Sequence, residues 1–149
     1  MPVTRMLRWP FVLALAIACS SDATSPLFRS FVNAVATAQC GPADGPAVAI
    51  FLTPNPVGSV EPSAPFVRIY VAVQVDQLTG RAWSVVNEAG AWFHRDASNS
   101  EPAETGYLLV TSVDSENTIT GTVDLSFPDA GHIKSAFRAT WIPTHFLCG

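Results

Sequence analysis

Charge is what this chain has least of. Asp, Glu, Lys and Arg make up 13% of its 149 residues, about half the usual share of roughly 25%. Lys134 is the only lysine, and acids outnumber bases by 12 to 8. Such a surface offers phosphates nothing to bind, which excludes nucleic acid as a partner. There is no phosphate loop and no dinucleotide fingerprint, so no nucleotide cofactor is expected. The three histidines (His94, His132, His145) are scattered and no C-x-x-C occurs, so no metal is expected either. No G-x-S-x-G turn is present to carry a nucleophile. The longest apolar run, Phe11 to Ala18, is too short to span a bilayer. Internal repeats and low-complexity segments are absent. What remains is 48% hydrophobic, enough for a folded core.

The clearest positive signal lies in the last third. Tyr107, Leu109, Thr111 and Val113 alternate with Leu108, Val110 and Ser112. Ile119, Gly121, Val123, Leu125 and Phe127 alternate with Thr120, Thr122, Asp124 and Ser126. After the turn at Pro128–Gly131, Ile133, Phe137, Ala139 and Trp141 continue the pattern. A period of two in runs rich in Val, Ile, Thr and aromatics predicts antiparallel strands with one face buried. Four more runs fit strands: 47–52, 66–75, 82–86 and 91–94. The four prolines within 53–65 mark a loop, and 96–105 reads as a polar loop. About seven strands with short connections predict an all-β domain, an antiparallel sandwich or small barrel.

The N-terminus has Arg5 and Arg8, no acid, and then the short apolar run, which is the pattern of an export signal. Leu15-Ala16-Ile17-Ala18-Cys19 resembles the lipobox of bacterial lipoproteins, with Ala16 where leucine is commonest. The resemblance implies that residues 1–18 are removed and that Cys19 carries the lipid. It also implies a place at the outer membrane or cell surface, since Ser20 and not Asp follows the cysteine. A second small-x-small site, Ala36-Thr37-Ala38 before Gln39, would instead release a soluble periplasmic or secreted domain. With Cys19 lipidated, Cys40 and Cys148 are left to pair in an oxidising compartment, two free thiols being the alternative.

Residues 19–39 are expected to form a tether and a short helix. Ser25-Pro26 is a helix start, and Leu27, Phe28, Phe31, Val32 and Val35 share one face at helical spacing. The β domain is then 40–149. His94 and Asp96 share a strand face and could form a base and its orienting carboxylate for a hydrolase, against a plain polar strand end. Asp96, Asn99, Glu101 and Glu104 are oxygen-bearing, but their spacing matches no calcium loop. Trp83, Trp92 and Tyr70 are candidates for a ligand surface, with Trp83 and Trp92 flanking a hairpin turn at 87–90, against core packing. The expected function is a monomeric, non-catalytic binding or structural module of the cell envelope. A small-ligand barrel using the tryptophans is the second reading and a hydrolase centred on His94 the third.

Overall fold

A computed structural model describes residues 31–144 and Cys148; the leader, Cys19 and the proposed helix start lie outside them. The chain is all-β, as its period-two runs imply. Nine strands form one sheet curled into a half-barrel: β1 (Asn33–Cys40), β2 (Pro46–Thr53), β3 (Phe66–Val71), β4 (Ala82–Ser84), β5 (Ala89–His94), β6 (Ser100–Pro102), β7 (Thr105–Val113), β8 (Ile119–Phe127) and β9 (Gly131–Trp141). Two short 3₁₀ turns, Pro42–Asp44 and Val75–Gln77, are the only helical pieces among the described residues.

The strand order is β4-β7-β8-β9-β1-β2-β3-β5-β6. Two antiparallel meanders, one early in the chain and one late, meet where β1 lies parallel to β9, with Ala34 opposite Ala139 and Ala36 opposite Trp141. The other pairings are antiparallel. The segment between β6 and β7 links the two ends of the strand order. The Ala103 N–H donates to Ala91 O on β5, and the next N–H, of Glu104, donates to Ser126 O on β8.

Residues 33–40 are strand, not helix, and the β domain therefore begins before Cys40. Ala34 and Ala36 face the interior, while Val35 belongs to a second cluster on the outer face. A strand buried on both sides has no polar alternation to display. Phe31 is buried and Val32 is 66% exposed, so the two residues that the helical spacing put on one face are separated. Thr37 is buried as well, and its hydroxyl donates to Ile142 O at 2.9 Å.

The inner face of the curl is filled. Ile50, Leu52, Val67, Ile69, Leu108, Val110, Ile119 and Leu125 are almost completely buried there, with Phe93, Phe127 and Phe137 among them. Outside, the proline-rich loop covers β1–β3, where Val57 and Ala64 pack on Val35, Ala49, Phe51 and Phe66. Cys40 and Cys148 are joined by a disulfide with Cα atoms 5.5 Å apart. No helix of the described residues is long and apolar enough to cross a membrane.

Candidate functional site

The sheet separates the predicted site residues. Trp83 and Trp92 do not face each other, because β4 pairs with β7 while β5 pairs with β3 and β6. Trp83 is 4% exposed and points into the core, where its indole N–H donates to Leu78 O at 2.8 Å. Arg81 covers it, with the guanidinium carbon 3.8 Å from the ring centroid. Trp83 is therefore a core residue and not a ligand contact. Trp92, 36% exposed, lies on the outer face.

Register builds that outer face. Phe66 stands opposite His94, Arg68 opposite Trp92, and Tyr70 opposite Gly90. On the other side of β5, Pro102 stands opposite Trp92 and Ser100 opposite His94. Strand alternation sends Val67, Ile69, Ala91 and Phe93 inward and leaves Arg68, Tyr70, Trp92 and His94 outside. These four, with Ser100 and the Cys40–Pro42 turn, line an open groove with a cavity volume of about 470 Å³.

Gly90 sets the pose of Trp92. A Cβ there would collide with the far edge of the indole, so the ring lies over the bare backbone of Gly90. Tyr70 stands at the rim and its hydroxyl donates to Cys40 O at 3.3 Å. Arg68 Nη2 donates to Gln39 Oε1 at 2.6 Å, reaching past β2, where Ala47 and Ala49 are small. Its Nε is buried with no hydrogen-bond partner, and among the described residues no carboxylate pairs with it.

His94 stacks on Phe66, ring centroids 4.5 Å apart. Burial lowers its pKa below 6.5, Arg68 lowers it further, and Glu61 opposes both. Asp96 does not orient it. That carboxylate instead accepts the N–H groups of Ser98 and Asn99 and the Asn99 side-chain amide, and these bonds, the last most of all, hold its own pKa down. The His94–Asp96 pair that acid–base catalysis needs is not assembled. Glu101 turns toward Asp129, whose N–H it accepts at 2.9 Å through Oε2, while its Oε1 is buried without a partner. Among the described residues, no three of His, Cys, Asp and Glu gather as a metal site.

The lowered pKa of His94 sets a pH dependence. The unfolded chain takes up a proton near pH 6.5, while the folded ring resists it until a lower pH. His94 therefore leaves stability unchanged above about pH 6.5 and reduces it as the pH falls through the lowered value. Urea unfolding at pH 7.5 and pH 5 should show this loss, and His94→Gln should make it smaller. An identical loss in the variant would assign the acid sensitivity to the carboxylates.

Tyr70 and Trp92 were legible as candidates. Arg68, Gln39 and Gly90 carry weaker signals: an arginine within an otherwise largely apolar strand and a glycine two residues before a strand tryptophan. No family model, curated protein or solved structure matches the chain.

Proposed function

We propose that the protein is an exported, lipid-anchored and non-catalytic binding module of the bacterial envelope, held at Cys19 and presenting the groove around Trp92. The position of β1 supports cleavage before Cys19. Cutting before Gln39 would remove most of a strand that pairs with both β2 and β9, and with it the buried hydroxyl of Thr37. The Cys40–Cys148 bridge is compatible with a compartment outside the cytoplasm. The observation that carries the binding role is a half-exposed indole held beside an arginine that has no acidic partner among the described residues. The filled interior leaves a barrel-type ligand no room, and the ligand surface moves to the outside of the sheet.

Intact mass of the protein from the membrane fraction tests the anchor. The expected species starts at a lipidated Cys19 and gains two hydrogens on reduction. Cys19→Ser should release the protein from the membrane. A soluble species starting at Gln39 would overturn the anchor.

A further inference from the structure

Resting on that binding role, we infer that the groove takes a carboxylate-bearing glycan, with a sugar ring stacked on Trp92 and its carboxylate on Arg68. The charge argument comes first. A guanidinium partly withdrawn from water gains from an anionic partner. Arg68 is half-buried; it has one hydrogen bond, to the neutral Gln39, a buried Nε without a hydrogen-bond partner, and its guanidinium carbon lies 6.0 Å from the Tyr70 ring centroid. A carboxylate matches the planar fork of a single arginine. A phosphate carries more charge, and among the described residues Arg68 is the only Lys or Arg lining the groove.

Shape and surface chemistry point the same way. The indole lies over Gly90 with part of its surface free. Its negative π face suits the weakly positive C–H face of a pyranose. The Tyr70 hydroxyl, which donates to Cys40 O, keeps lone pairs for a sugar hydroxyl, and Ser100 offers another. The groove is open and lies across strands, so a chain can pass through it.

A peptide added as a strand fits less well. Ala103 donates its N–H toward β5, so strand alternation aims the position of Pro102 at the free edge of β6. Proline has no N–H to offer there, which blunts the edge for a pairing peptide.

Full processed protein in detergent would be run in affinity gels containing polygalacturonate, alginate or hyaluronan, with dextran and methyl-esterified polygalacturonate as neutral partners. Retardation by at least one acidic polymer, weakened by salt and lost on esterification, is expected. Arg68→Gln and Trp92→Ala should each weaken it about tenfold. Gly90→Ala, which displaces only the indole, should do the same without changing the melting temperature. Equal retardation by esterified and free polymer, or by Arg68→Gln and the parent, would overturn an acidic ligand while leaving the groove a binding surface. No retardation by any polymer would overturn the glycan itself. The mass measurement on Cys19 is independent of both, so a failure here is distinguishable from a failure of the anchor.

Discussion

Removing the Cys40–Cys148 bridge should lower the melting temperature by up to about 15–20 °C, the largest single loss expected in this domain. The bridge spans a sequence separation of 108. Cross-linking positions that far apart withholds loop-closure entropy from the unfolded chain, about 4–5 kcal/mol in the chain-entropy model, which is an upper figure. For a domain of this size each kcal/mol shifts melting by roughly 4 °C. The folded state also uses the bridge locally. Cys40 ends β1, Tyr70 donates to its carbonyl, and the chain beyond β9 is held beside β1 by Thr37 and Thr144, whose hydroxyls lie 2.7 Å apart. Reduction should therefore loosen the groove wall as well as the chain ends. Calorimetry with and without reductant, and on Cys40→Ser/Cys148→Ser, measures the effect. A double variant that melts within about 3 °C of the parent would mean that the bridge withholds little entropy from the unfolded chain.

The contrast between β8 and β1 shows what the sequence could disclose. In β8 every second residue from Ile119 to Phe127 is buried and the intervening ones are half-covered, so composition and environment have the same period. β1 is Asn-Ala-Val-Ala-Thr-Ala-Gln-Cys, with four successive residues buried and both faces covered, and nothing in such a stretch alternates. Its alanines favour a helix locally, and the neighbours β2 and β9 override that preference. β6 was hidden for a different reason: it has three residues, one of them proline, and is a strand only because β5 pairs with it.

Partner choice was equally hidden. The turn between β4 and β5 is real, with Glu88 N–H donating to Ser84 O and Glu88 paired with Arg81 at 2.7 Å. It carries the chain from the edge strand β4 to β5, near the other end of the strand order, and does not pair the two strands. A local turn looks the same in either case. Alternation did separate Trp92 from Ala91 and Phe93, but which side faces water follows from β3 and β6, which lie elsewhere in the chain. Arg68 was hidden for another reason: its bond to Gln39 reaches across β2 to β1, and β1 reads locally as a helix.

Gly106→Ala should destabilise the domain by about 2–6 kcal/mol, the sum of a backbone term of about 1–3 kcal/mol and an overpacking term of similar size. Gly106 has φ +133°, which side-chain-bearing residues rarely adopt. A Cβ there would strike the Asp124 carbonyl oxygen and stand 2.8 Å from the Leu125 Cα, atoms of the paired strand that cannot swing away. Its own carbonyl accepts the Val85 N–H at 3.1 Å, so the residue is held from both sides. The position explains the demand. Gly106 lies just beyond the segment where Ala103 bonds to β5 and Glu104 to β8, where the chain passes from one end of the strand order to the other. Gly58→Ala is the control, since a Cβ at Gly58 meets nothing within 4 Å. Urea unfolding should show a large fall in midpoint for Gly106→Ala and almost none for Gly58→Ala. If the two behave alike, that passage does not depend on a missing side chain. If Gly106→Ala alone fails, β6 and the Ser100 wall of the groove depend on one glycine that touches no ligand.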